Sequence, residues 1–293
     1  MKNSTLLRIL KISSFLIFLG RSYQHLFWDA PYRSLFWDQN LLETIVTTVL
    51  GTSWQAYVTN AYTDDAIQFL TKITGILYGI CAVISLAINE HSKTWMSSIL
   101  KLGTISLIFL AFLLTKEKFY HLIMFFEHSI QFGVPTLLIY FLKDKNQEKL
   151  ILFLKIFILL TFSCHGIYAI DYFYPLPANF VTMSLNILNL EEEIVKKILL
   201  IAGILDFLIA LAVFIPKIAK VALLYASFWG FATAFARIFS GFHYDISLSI
   251  IHQYLYLVIY RLPHSIIPLL VFFYRNQERN SGINSIIFLK LKK

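Results

Sequence analysis

Ten side chains able to do chemistry lie in stretches otherwise built of leucine, isoleucine and phenylalanine: Arg21, His25, Glu127, His128, His165, Tyr168, Asp206, Arg237, Arg261 and His264. An ionisable group is poorly solvated in hydrocarbon, so such residues face a bundle interior or a water-filled cavity and find partners there. Arg21 and His25 are four residues apart and Arg261 and His264 three apart, so each pair shares a helical face, unlike the adjacent Glu127 and His128. A face joining a guanidinium to an imidazole suits an anionic headgroup, a quinone carbonyl or a proton path. The structural alternative is that Asp206, Glu127, Arg237 and Arg261 pair to hold helices together. Asp206 is expected to meet Arg237, or else Arg261, in a polar region that also holds His165.

Eight histidines raise the question of haem or another metal. No CxxCH, HExxH or Glu-x-x-His pattern is present, and neither haem nor a resident metal is expected. Cys81 and Cys164 lie singly in apolar segments, without CxxC or zinc spacing, and read as small buried apolar residues. Catalytic-serine, phosphate-loop and dinucleotide signatures are also missing. His165 or His25 could act as a base in a membrane enzyme working on lipid or quinone, but no nucleophile joins them.

The elements holding these residues are set by composition. A 293-residue chain that is 58% hydrophobic and 14% charged has too little polar surface to coat a soluble globule. Runs such as Ile198 to Ile215 are continuously apolar, which excludes the alternating strands of a transmembrane barrel and predicts membrane-crossing helices. The fold class is therefore all-α, with eight spans expected at 6–27, 67–88, 97–114, 119–142, 151–170, 194–215, 221–239 and 248–274. Lys2, Arg8 and Lys11 before the first span imitate a secretory signal, but no small-residue cleavage site follows and Arg21, Gln24 and His25 do.

The net charge of +8 is dispersed at span ends, so it argues topology and not nucleic-acid binding. With the N-terminus inside, inner segments carry Lys2, Arg8, Lys11, Lys93, Lys101, Lys143, Lys145, Lys149, Lys217, Lys220, Arg275, Arg279, Lys290, Lys292 and Lys293. Outer loops carry only Arg33, Lys116 and Lys118, with Lys196 and Lys197 at a span edge. Positive loops favour the cytoplasmic side, so both termini are expected there. Two long outer connections, 28–66 and 171–193, each follow the first span of a four-span set. Leu41, Leu42, Ile45, Val46, Val49 and Leu50 recur at helical spacing beside Trp28, Trp37 and Trp54, predicting a helix on the membrane surface. Phe180 to Leu190, after Pro175 and Pro177, predicts a second.

That parallel points to internal duplication. Lys11-Ile12 matches Lys155-Ile156, Gly75-Ile76-Leu77 matches Gly203-Ile204-Leu205, and Asn146-Gln147-Glu148-Lys149 echoes Asn276-Gln277-Glu278-Arg279. The expected architecture is two tandem four-helix units, 1–149 and 150–279, followed by a basic cytoplasmic tail, 280–293. An even span number in each makes the repeats parallel, related by an axis along the membrane normal.

Cys164-His165-Gly166-Ile167-Tyr168-Ala169, Gly203-Ile204-Leu205-Asp206-Phe207, and Trp229-Gly230-Phe231-Ala232-Thr233-Ala234 before Arg237 resemble the DoxX-like family of four-helix membrane proteins. The resemblance covers residues 151–274, the first half being a diverged copy with Tyr78 at the Asp206 position. It implies an inner-membrane partner of a respiratory or thiol-redox system, with a quinone as the possible cofactor. The lack of cysteine pairs departs from a thiol-redox role. The expected function is a non-catalytic accessory protein that binds a quinone or lipid, with the bilayer and a membrane redox protein as partners. A small transporter or proton-linked channel is the alternative, opposed by the absence of any expected pair of broken spans.

Overall fold

A computed structural model describes residues 2–290, with side chains described through residue 276. The expected tail at 280–293, and the Gln277-Glu278-Arg279 part of the second echo, lie outside the residues whose side chains are described. Every regular element described is helical. The chain runs through α1 (Asn3–Phe27), short α2 (Arg33–Phe36), α3 (Gln39–Val49), α4 (Trp54–Thr59), α5 (Ala61–Ala87), α6 (Thr94–Glu117), α7 (Leu122–Glu127) and α8 (Ser129–Asp144). It continues through α9 (Gln147–Ile170), α10 (Ala178–Leu188), α11 (Glu192–Ala212), α12 (Ala219–Gly241), α13 (Ser247–Arg261) and α14 (Pro263–Lys290).

Among the described residues, six helical stretches are long and apolar enough to cross a membrane: α1, α5, α6, α9, α12 and the run Tyr244–Asn276. Two further apolar helices fall outside that description for identifiable reasons. Helix α8 has only 16 residues, and the 21-residue α11 carries Lys196, Lys197 and Asp206. The outward faces match a lipid environment. Ile73, Ile76, Ile80 and Val83 on α5, and Ile201, Ile204, Leu208 and Leu211 on α11, are exposed at the three-and-four spacing of one helical face. The chain is a multi-pass membrane protein.

Helix contacts follow a repeated order. Helix α1 packs on α5, α5 on α6 and α6 on α8; α9 packs on α11, α11 on α12 and α12 on α14. The two sets are laced together reciprocally, with α13 lying against α1 and α7 against α9. One continuous core runs through both sets, from Leu6, Leu10 and Phe18 to Leu154, Leu223 and Ile267. The tightest approach is between α9 and α11, where a Cβ on Gly166 would sit 2.6 Å from the Gly203 carbonyl oxygen. At the matching place in the first set, Ser22 donates its hydroxyl to the Gly75 carbonyl at 2.8 Å.

Two of the expected spans carry a break, the second within a run that is still long and apolar enough to cross a membrane as one. The span expected at 119–142 breaks at His128, and the one at 248–274 turns at Leu262 before Pro263. Each break has a local cause. The His128 backbone N–H bonds to the Phe125 carbonyl at 3.2 Å, one residue short of helical register, and its ring Nδ1 takes the freed Met124 carbonyl at 2.8 Å. At the second break Pro263 has no N–H to give, Ser265 N–H bonds back only to Leu262 at 2.9 Å, and His264 Nδ1 takes the Arg261 carbonyl at 2.9 Å. The two breaks are solved by the same device, a histidine ring standing in for a backbone donor.

The two long connections, 28–66 and 171–193, contain the expected helices, α3 and α10. Asp38 caps α3 by accepting from Leu41 N–H at 3.1 Å and pairs with Lys116 at the end of α6. Helix α10 rests on α11 and α12, with Asn186 Nδ2 donating to the Ser240 carbonyl at 3.0 Å.

Candidate functional site

The polar residues of the spans form two connected groups. The first lies where α1, α8, α7 and α13 meet. Arg21 is 2% exposed and carries no carboxylate partner among the described residues. Its guanidinium donates from Nε and Nη2 to Gln131 Oε1 at 3.0 and 2.5 Å and from Nη1 to Gln24 Oε1 at 2.7 Å. Its carbon lies 3.9 Å from the centre of the Tyr260 ring. Amide oxygens and a ring face thus replace a counter-ion, an arrangement strengthened by the exclusion of water. The neighbouring His25 places Nδ1 2.7 Å from the Arg21 carbonyl. Three of the candidate imidazoles, those of His25, His128 and His264, therefore spend one nitrogen on the main chain.

A cross-link between the halves joins this group to the second. Glu127 Oε1 lies 3.5 Å from Arg261 Nη2 and 3.5 Å from His165 Nδ1, bringing α7, α13 and α9 together. The His165 and His264 rings stand 6.2 Å apart, centre to centre.

The second group ends in a cavity of about 580 Å³ bounded by α9, α10, α11, α12 and the break between α13 and α14. Its wall is largely apolar, with Phe162 from α9, Phe180, Met183 and Ile187 from α10, Ile198 and Ala202 from α11, and Phe228 and Phe235 from α12. Among these sit His165, Asp206, Trp229, Thr233, Arg237, Arg261 and His264. Several polar groups there have unmet capacity. Asp206 accepts from Trp229 Nε1 at 3.1 Å through Oδ2, while its Oδ1 has no partner. Arg261 Nε and His264 Nε2 are likewise buried without one. Arg237 donates from Nη1 to the Thr233 carbonyl of its own helix at 2.6 Å and makes no ion pair among the described residues. Buried polar groups are normally satisfied, and the Asp206, Arg261 and His264 atoms share their exception with Ser13, Ser14, His121, Ser129, Ser163 and Tyr168 elsewhere among the described residues.

Five of the ten sequence candidates, His165, Asp206, Arg237, Arg261 and His264, line this cavity. Arg21, His25, Glu127 and His128 stand behind it in the buried network. Tyr168 lies apart, its ring near Tyr174 and His121 and its hydroxyl unpartnered. The expected ion pair of Asp206 with Arg237 or Arg261 is not formed: the carboxylate is held by the Trp229 indole, and Arg261 is taken by Glu127. Trp229, Gln131, Gln24 and Tyr260 complete the arrangement, together with the α10 wall. They carry no charge, so no cost of burial marked them in the sequence. Among the described residues no three His, Cys, Asp or Glu side chains converge as metal ligands.

No family model matches the chain, no curated protein matches it, and no solved structure matches it.

Proposed function

We propose that this protein binds an amphipathic molecule, a quinone or a lipid, in the cavity behind α10, as an accessory protein of DoxX-like type in the cytoplasmic membrane. The observation that carries the reading is a largely apolar cavity whose wall also presents His165, Asp206, Arg237, Arg261 and His264. A polar head would face the basic and imidazole side chains of that wall and a hydrocarbon tail would fill the phenylalanine-lined remainder, the usual division of labour in ligand sites. Redox partnership rests on the resemblance alone, which is an argument from fold to function.

In the same reading the chain has eight spans in two four-helix units, with α7–α8 and α11 crossing beside the six longer stretches. Supporting it are the repeated packing order, the reciprocal contacts of α13 with α1 and α7 with α9, and the matched breaks. Both termini are cytoplasmic, as the lysine and arginine bias argues. Cysteines introduced as Ser53→Cys and Ser92→Cys should then react with an impermeant reagent from opposite faces; labelling from one face overturns the topology.

The binding reading is tested by purifying the full chain in mild detergent, extracting with organic solvent and identifying released amphipaths by mass spectrometry. Wild-type protein should carry a stoichiometric tailed molecule that the cavity-filling variant Ala202→Phe lacks. Equal recovery from both would overturn it.

One observation favours a second reading, a small transporter. Interrupted spans at corresponding places in two repeats are where secondary transporters hold substrate, and the His128 and Leu262 breaks have that form. Counterflow of the extracted molecule in proteoliposomes separates the two, since an accessory binding protein gives none.

A further inference from the structure

The charge around the cavity selects among amphipaths. Among the described residues, the helix interior and the cavity wall hold three guanidinium groups, the buried Arg21 and Arg237 and the partly buried Arg261, against two carboxylates, Glu127 and Asp206. Arg21 is held by glutamine oxygens and a tyrosine ring, and Glu127 is committed to Arg261. Arg237 is 6% exposed, lines the cavity and meets no carboxylate among the described residues. A guanidinium shut away from water with only a carbonyl of its own helix is a strong attractor of negative charge. Size narrows the choice further. At about 580 Å³ the cavity falls within the range of about 300–1,000 Å³ that takes one small ligand, which matches one acyl chain and a small head.

We propose that the ligand is a single-chain anionic amphipath, its tail among the phenylalanines and its negative head on Arg237 and Arg261. This deepens the binding reading above and rests on it. The minimal head is a carboxylate, as in a fatty acid. The single-chain glycerolipid phosphate offers a hydroxyl as well as its charge. The neutral quinone offers Arg237 no charge.

The test is displacement of radiolabelled palmitate from the purified full chain in dodecylmaltoside by palmitate, hexadecanol, a short-chain lysophosphatidate and a short-tailed quinone. Palmitate or lysophosphatidate should bind at least about tenfold more tightly than hexadecanol, which has the same tail and no charge. Arg237→Gln should reduce that preference to within about threefold and leave hexadecanol unaffected. Asp206→Asn, which removes a negative charge from the same wall, should tighten palmitate and lysophosphatidate and leave hexadecanol unchanged, and weakening of both anions would count against the charge assignment. Should Arg237→Gln fail to fold, the wild-type ratio of palmitate to hexadecanol decides alone. Hexadecanol or the quinone binding as tightly as the anions overturns the charge assignment while leaving the cavity reading intact. Failure of every amphipath to bind overturns both.

Discussion

Replacing Glu127 with glutamine keeps the shape of the side chain and removes its charge, leaving Arg261 without its counter-ion at the junction of α7, α9 and α13. The guanidinium-to-carboxylate distance is 3.5 Å, so at an effective dielectric of about 20 the pair is worth ~5 kcal/mol before desolvation. Breaking one partner of a buried pair costs about 3–5 kcal/mol, because the other charge stays buried. Glu127→Gln is therefore expected to destabilise by ~3 kcal/mol or more, and Arg261→Gln by a similar amount. The double variant leaves neither charge behind and should return to within ~1–2 kcal/mol of wild type. Denaturant unfolding in mild detergent, followed by tryptophan fluorescence, measures all four proteins. If the two single effects simply add, to within ~0.5 kcal/mol, the residues are not coupled and the cross-link between halves is wrong. The same substitution increases the excess of buried positive charge, so Glu127→Gln should also bind palmitate more tightly with hexadecanol unchanged.

Gly166→Ala should lower thermal stability, since its Cβ would meet backbone oxygen at 2.6 Å and separate α9 from α11, an overpacking cost of about 1–3 kcal/mol that exceeds the helix-propensity gain of alanine. Gly79→Ala is the control: its nearest neighbour is the Ser22 hydroxyl at 3.1 Å, and the melting temperature should stay level or rise. A hydrogen bond from Lys116 holds the Asp38 carboxyl below its ordinary value of 3.8. A depressed folded-state value contributes stability that is full above the ordinary value and is lost as pH falls through the lower one, so α3 should remain docked at pH 5 and loosen only in strong acid. Hydrogen exchange of residues 39–49, corrected for intrinsic rate, checks this, and protection lost between pH 7 and pH 5 would contradict it.

The helices were legible because hydrocarbon-length apolar runs leave few alternatives, and α3 and α10 because their apolar residues recur at helical spacing. Continuity was less so. Pro263 was visible inside the expected eighth span, yet a proline within a helix can be absorbed, and what decides the turn is His264 capturing the Arg261 carbonyl. The break at His128 has no glycine or proline to announce it; it depends on that residue's own ring replacing its backbone bond. For the site, the cost of burying charge singled out the five charged or imidazole groups that line the cavity. It could not say which cation meets which anion, because Glu127 and Arg261 are brought together by packing between the halves, and the indole that holds Asp206 bears no charge.

Trp229 lines the cavity and bonds to Asp206, which makes it a reporter of occupancy. The chain has five tryptophans, so changing Trp28, Trp37, Trp54 and Trp95 to phenylalanine leaves Trp229 alone. A stearate brominated along its tail quenches only a ring it touches. Titrated into this protein in detergent, it should quench Trp229 saturably at one molecule per chain and be reversed by excess palmitate, while a chain keeping only the exposed Trp95 loses fluorescence in proportion to added lipid. Quenching of Trp229 that is equally proportional and unsaturable would contradict a ligand site in this cavity.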